Sequence, residues 1–227
     1  MKHVVCYCMT RNLYEDFKAT FRSLLKNGGK IDKIYVLAED DDLGYPVPDI
    51  MEVINVSDQK FFPKDGPNYN QHWTYMALMR VALCKIFPDL DYILTLDVDT
   101  IVLSDLAGIW NCRIGNNYFA GVKESYLSNE SPYINCGIVL WNLKQLRDGK
   151  ADEIIRMINT KKYRFPEQDC VNQLCKGRIY QLPSSYNATN FTAPTKNIII
   201  RHYANAHALY RTDPLVKQYM EDESDEM

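Results

Sequence analysis

The apolar positions of the chain fall into short runs between polar stretches, and the spacing inside each run predicts its element. Val4-Val5-Cys6-Tyr7-Cys8 is a continuous apolar run of strand length, and Leu13, Phe17, Phe21, Leu24 and Leu25 then recur at helical spacing. Gly28-Gly29 marks the stop of that helix. Ile34 to Leu37 predicts a second buried strand, Glu39 to Asp42 an acidic loop, and Glu52 to Val56 a third strand. Pro63, Gly66 and Pro67 make the stretch from Phe61 to Asn70 a loop. Tyr75, Leu78, Met79, Ala82 and Ile86 share a stripe of a helix expected from Thr74 to Phe87, which Pro88 ends. Tyr92 to Leu96 is an apolar strand running into Asp97. Beyond it, Gly137 to Trp141 and Ile198 to Ile200, the latter running on to His202, predict strands, and Asp152 to Asn159 a helix. The order β-α-β-β-α-β up to Asp97 predicts an α/β fold, a mostly parallel Rossmann-like sheet flanked by helices. One domain is expected over residues 1–215, with an acidic C-terminal tail over 216–227 whose Glu221 to Glu226 fray into solvent.

Composition narrows the class. The 227 residues are 46% hydrophobic and 24% charged, as in a soluble globular protein, so no staple is needed to complete a core. A net charge of −3, with lysines and arginines scattered, excludes a nucleic-acid footprint. The seven cysteines include no C-x-x-C pair, and Cys6 and Cys8 on one strand face are expected as core thiols in a reducing compartment. No apolar run reaches the roughly 18 residues of a spanning helix, and Met1 leads into the first strand without a signal-peptide pattern. A cytoplasmic protein without a membrane span is expected, in which the sequons at Asn187 and Asn190 are coincidental. Oligomeric state leaves no trace in the sequence.

Chemistry concentrates where the apolar strand ends. Side chains alternate along an extended segment, so Asp97 and Asp99 point one way and Val98 the other. Ligands of parallel sheets bind beyond the strands' carboxyl ends, and two like charges there repel unless a cation lies between them. A hard divalent cation with oxygen ligands answers that repulsion and keeps sites for phosphate oxygens. A plain surface turn rich in Asp is the alternative. HAD-type phosphatases also use D-x-D, attacking phosphate with the first Asp. Their pattern wants Thr or Val four residues later, where this chain has Ile101.

Four blocks in order resemble glycosyltransferase family 8, the retaining transferases that include glycogenin and bacterial lipopolysaccharide galactosyltransferases. They are Trp73-Thr74-Tyr75 with Arg80, Leu94 to Val102 around Asp97-Val98-Asp99, Tyr133 to Asn142 around Asn135-Cys136-Gly137, and Glu167-Gln168-Asp169. The resemblance runs from the first strand to about Tyr210. It implies a GT-A type fold, a UDP-sugar donor such as UDP-glucose or UDP-galactose, Mn²⁺ (or Mg²⁺), and a carbohydrate or glycoconjugate acceptor. It further implies that Asp97, Asp99 and His202 hold the metal, although His202 also reads as a buried, hydrogen-bonded histidine. Arg80 would reach the donor, or else is a solvated helix charge. Asn135 and Gly137 would approach the sugar, or else form a plain turn. Gln168 would lie beneath the anomeric carbon and Asp169 would accept hydrogen bonds from the sugar, although Pro166 and these acids also suit a helix start. Thr10, Asn12 and Tyr14 would cradle the uridine, and Val98 would border the donor. One departure stands out: Ala208 occupies the approximate place of the family's diphosphate-pairing Lys, leaving His207, Arg201 or Arg211 as substitutes. The implied function is metal-dependent, retaining transfer of a hexose. A nucleotide-sugar-binding protein without transfer is the alternative that this departure suggests.

Overall fold

A computed structural model describes residues 1–70, 74–124, 133–190 and 197–221. The N-terminal half alternates as the apolar runs dictate: β1 (Val4–Cys8), α1 (Tyr14–Asn27), β2 (Lys33–Ala38) and β3 (Met51–Asn55). Next come α2 (Thr74–Leu78), a 3-10 turn over Met79–Ala82, α3 (Leu83–Ile86) and β4 (Tyr92–Leu96). The chain continues through β5 (Thr100–Val102), α4 (Ala107–Trp110), β6 (Phe119–Lys123), β7 (Ile134–Asn142), α5 (Leu143–Leu146), α6 (Lys150–Thr160) and α7 (Pro166–Leu174). It closes with β8 (Ile179–Leu182), β9 (Ile200–His202), α8 (His207–Thr212) and α9 (Pro214–Met220).

Seven strands form one sheet in the order β3-β2-β1-β4-β7-β6-β8. β3, β2, β1 and β4 run parallel, as does β8 beside β6, whereas β7 runs antiparallel to both β4 and β6. The sheet is thus mostly parallel, with β7, fifth of the seven strands in order, the one reversed. β4 is buried on both faces, and its single polar residue, Thr95, is satisfied by donating to Val139 O at 3.3 Å and accepting from Trp141 Nε1 at 2.9 Å. One face packs Met79, Trp141, Ile154 and Cys170, and the other packs Phe17, Phe21, Leu24 and Ile109. A smaller cluster of Ala19, Ile101, Tyr203, Tyr210, Val216 and Tyr219 joins α8 and α9 to α1 and β5. α1 stops where Gly28 donates to Leu24 O, followed by Gly29 at φ +72°, the left-handed region open to glycine.

Several expectations are corrected. The helix expected over Thr74–Phe87 is broken by the 3-10 turn, and burial runs all round Leu78 to Cys84 instead of along one stripe. The break falls where Arg80 turns inward: a buried guanidinium must find partners, and the tighter 3-10 turn accompanies that inward bearing. The last strand starts at Ile200 and not at Ile198, because its hydrogen bonds go to the short β5. β5, β6 and β8 carry no expectation from the apolar pattern, each being too short or too mixed to stand out. The boundary drawn at residue 215 falls inside α9, whose Val216 and Tyr219 are buried and whose last carbonyls accept from Arg22 Nη1. Residues 222–227 of the acidic tail, Trp73, and the Phe191 and Thr192 positions of the second sequon lie outside the described residues. All seven cysteines are free, with Cys6 buried and Cys8 half-buried. Among the described residues no helix is long and apolar enough to cross a membrane.

Candidate active site

Two backbone ladders bring together residues a hundred positions apart. Asp97 N–H donates to Gly137 O at 2.8 Å, which extends the β4–β7 ladder one residue past β4. The turn that follows is closed by Thr100 Oγ1 donating to Asp97 O at 2.7 Å. β5 then pairs with β9 so that Thr100 faces His202, and Tyr203 N–H donates to Asp99 O at 2.9 Å. The result places one ligand-capable atom from each of Asp97, Asp99 and His202 within 4.8 Å of one another. His202 Nε2 is 3.3 Å from Asp99 Oδ1 and 3.6 Å from Asp97 Oδ2. This convergence requires a glycine at 137, since a Cβ there would stand 2.2 Å from His202 Cε1 and 2.9 Å from Asp97 Oδ2.

Arg80 neutralises the other side of the pair. Its Nη1 donates to Asp97 Oδ1 at 2.6 Å and to Cys136 O at 2.8 Å. Its Nε lies 3.0 Å from Glu167 Oε1, but that N–H points to Ala77 O, so Oε1 has close charge contact without a hydrogen bond. Burial would lower the Arg80 pKa, but the Glu167 and Asp97 carboxylates hold it above its usual value. Burial pushes Glu167 up to about 7, which Arg80 offsets only in part. Burial likewise raises Asp97 despite Arg80, whereas the nearby His202 outweighs burial at Asp99 and holds it low. Burial would lower His202, and Asp99 and Asp97 together raise it. The three groups therefore form a strained set of like and unlike charges around one point.

That donor set fits a divalent cation. Two carboxylates with an imidazole suit Mn²⁺ and transition metals better than Mg²⁺, and the space against Gly137 is the space a side chain would fill. The cluster opens on a cavity of about 410 Å³, a size that takes a small organic ligand.

Of the residues singled out in the sequence, Thr10, Asn12, Arg80, Asp97, Val98, Asp99, Asn135, Gly137, Gln168 and His202 all line this cavity. Thr10 Oγ1 donates to Asn12 Oδ1 at 2.5 Å. Gln168 Oε1 accepts Cys136 N–H at 2.9 Å and its Nε2 donates to the Tyr133 hydroxyl at 3.3 Å, so the amide is held at both ends. Tyr14 and Asp169 are not among the lining residues. The Tyr14 hydroxyl donates to Asp40 Oδ2 at 3.0 Å and accepts Glu39 N–H at 3.2 Å. Asp169 accepts the Tyr133 hydroxyl and, at 2.9 Å, Phe165 N–H, so it closes the first turn of its own helix α7. Of the three candidate substitutes for the absent Lys, Arg211 pairs with Asp16 at 2.7 Å and Arg201 bonds the carbonyls of Ala188 and Thr189. His207 lines the cavity, with Nε2 2.8 Å from Asp16 Oδ2.

Sequence reasoning gave no site role to Glu124 or Asn187, and quoted Glu167 only as part of the Glu167-Gln168-Asp169 block. Glu124 and Glu167 line the cavity, and Asn187 bonds the ring of His202. Asn187 was hidden inside a sequon match. Glu124 follows a strand too short to register, and the acid at 167 reads equally well as a helix-start residue.

The model for glycosyl transferase family 8 matches residues 2–207. A Haemophilus influenzae protein named as a glycosyltransferase is 27% identical over 176 residues, covering 64% of this chain and 53% of its own length. The lipopolysaccharide 1,2-glucosyltransferase of Escherichia coli is 28% identical over 177 residues, covering 71% of this chain and 50% of its own. The chain thus spans about half the length of the curated relatives it matches. The solved structure of the galactosyltransferase LgtC, in complex with donor and acceptor sugar analogues, superposes with a TM-score of 0.71 at 17% identity, over 95% of each chain. At that identity it is the GT-A fold that is shared.

Proposed function

Because the chain belongs to glycosyl transferase family 8, we propose that it transfers a hexose, glucose or galactose, from a UDP-sugar to a carbohydrate or glycoconjugate acceptor with retention of configuration. The observation that carries this reading is the cluster of Asp97, Asp99 and His202 at the mouth of a ligand-sized cavity. Mn²⁺ held there would supply a Lewis acid for the diphosphate leaving group.

The chain's own groups divide the remaining work. Thr10 and Asn12, at the end of β1, receive the uridine. Arg80 stays charged because two carboxylates face it, and it fixes Asp97 in the orientation that leaves Oδ2 toward His202. Gln168 is the polar side chain under the sugar, clamped by Cys136 N–H and Tyr133. An amide is a poor nucleophile, which argues against a covalent glycosyl intermediate at this position. Transfer on the face of departure follows: the bond from the anomeric carbon to the phosphate oxygen breaks, the acceptor oxygen bonds to that carbon, and the leaving phosphate oxygen takes the acceptor's proton. Of the three candidate substitutes for the absent Lys, His207 is the one that lines the cavity, and its contact with Asp16 would have to open for it to meet the diphosphate.

The test is UDP release from a panel of UDP-sugars with Mn²⁺, with Mg²⁺ and with chelator, by wild type, Asp99→Asn and Gln168→Ala. Metal-dependent release from one UDP-hexose, lost in Asp99→Asn, is expected, together with a fall of 10²-fold or more in Gln168→Ala, on the order of a lost transition-state contact. Metal-dependent UDP binding without release, even with candidate acceptors, would favour a binding protein. Full turnover by Gln168→Ala would remove the role given to that amide.

A further inference from the structure

Behind His202, on the side away from the carboxylates, runs a chain of buried polar side chains that the reading above does not use. Glu124, Asn187 and His202 are each under 5% exposed. Asn135 Nδ2 donates to Glu124 Oε2 at 2.8 Å, Asn187 Nδ2 donates to Asn135 Oδ1 at 2.9 Å, and Asn187 Oδ1 lies 2.9 Å from His202 Nδ1.

The direction of this chain is fixed at Asn135. A backbone N–H can only donate, and Gly137 N–H reaches Asn135 Oδ1 at 3.0 Å, so Asn135 must turn its NH₂ group to Glu124. The Asn135 oxygen then faces Asn187, which must answer with its own NH₂ group and so presents its oxygen to the imidazole. A ring nitrogen facing that oxygen has to donate, which puts a proton on Nδ1. Nε2, the nitrogen that faces Asp99 and Asp97, is then the one with a lone pair to give to a cation.

We propose that Asn187, oriented by Asn135 and Glu124, is a positioning residue that holds His202 with its Nδ1 proton bonded and its Nε2 directed at a divalent cation shared with Asp97 and Asp99. The proposal rests on the metal reading of the site and adds two residues to it. A ligating histidine commonly donates its second N–H to a group outside the ligand set, and losing that group typically costs 10- to 100-fold in metal affinity. Here the acceptor is an amide whose orientation is dictated, through Asn135, by the Gly137 N–H.

The experiment measures Mn²⁺ uptake by the full chain, from the free Mn²⁺ electron paramagnetic resonance signal, for wild type, Asn187→Ala, Asn187→Asp and Glu124→Gln. Asn187→Ala leaves Nδ1 without its acceptor and is expected to weaken Mn²⁺ binding about 10- to 100-fold. Asn187→Asp restores an oxygen at Nδ1 and recovers most of that loss. Glu124→Gln weakens binding less, since its amide oxygen can still accept from Asn135. A spectroscopic readout separates positioning from packing: with ¹¹³Cd²⁺ in ¹⁵N-histidine-labelled wild type, the metal coupling falls on Nε2 of His202 and the proton on Nδ1. Unchanged Mn²⁺ affinity in Asn187→Ala, or cadmium coupling at Nδ1, overturns the relay while leaving the metal site standing. No Mn²⁺ uptake by wild type overturns the metal site itself. Should Asn187→Ala fail to fold, Asn187→Asp, Glu124→Gln and the cadmium spectrum still decide.

Discussion

Gly137 shows how one missing carbon can decide a site. The Asn-x-Gly segment, expected to be a turn before a strand, lies inside β7, and its glycine marks a close backbone approach: what comes close is His202 and Asp97. Gly137→Ala is expected to cost about 1–3 kcal/mol of stability through overpacking and to abolish Mn²⁺ binding by displacing the imidazole. Thermal unfolding and Mn²⁺ titration check both, and a variant that binds Mn²⁺ like wild type would contradict the close approach. Glu167 makes the second case. Its folded pKa of about 7 stands above the unfolded value of 4.5, so the folded state holds this proton more tightly. Its contribution to stability is complete below pH 4.5 and is lost as pH rises to 7, amounting to on the order of 3 kcal/mol. The charges facing it are Arg80 and Asp97, with the Cys136 thiol beside them. Urea unfolding at pH 5 and 7.5 should show this downward slope in the ligand-free wild type and its absence in Glu167→Gln. Parallel pH dependences would contradict the assignment.

Elements carry the site by pairing across long sequence separations. β5 and β9 are only three residues each, yet their register decides that His202 lies opposite Thr100 and beside Asp99. Ile101, fully buried in the middle of β5, ties this small sheet to α1, α8 and α9. Ile101→Ala is expected to cost about 2–5 kcal/mol and to weaken Mn²⁺ binding without touching a ligand. Ile34→Ala, equally buried in β2 on the far side of β1, should cost a similar amount and leave Mn²⁺ affinity alone. Equal Mn²⁺ affinities in the two variants would show that β5 does not hold the histidine. The 3-10 turn before α3 belongs to the same logic. It interrupts the helix where Arg80 leaves the outer side to meet Asp97 and Glu167.

At the scale of the whole molecule, a cation that binds only the folded chain must stabilise it. Mn²⁺ at 100 times its dissociation constant adds about 2.7 kcal/mol, which for a domain of this size raises Tm by roughly 5–10 °C. The shift should vanish with chelator and in Asp99→Asn, and a calorimetric scan reads it directly. An equal shift in the variant would place the cation elsewhere.

The sequence by itself determined the alternation of elements, the strand that ends in Asp97 and Asp99, the stop at Gly28-Gly29, and the family resemblance carried by four spaced blocks. The first three are local features, set by the period of apolar side chains and by the backbone freedom of glycine, and can be read within a window of a dozen residues. The resemblance rests instead on the order and spacing of blocks between Trp73 and Asp169. Only the tertiary structure decided that β7 reverses direction, that Arg80 turns inward, and that Asp169 and Tyr14, bonded to Phe165 and Asp40, are not among the cavity-lining residues. It alone drew Glu124 and Asn187 into a chain behind His202. These hydrogen bonds join residues from 4 to 52 positions apart. A buried polar group takes whichever donor or acceptor the packed fold brings within reach, and no local periodicity encodes that choice.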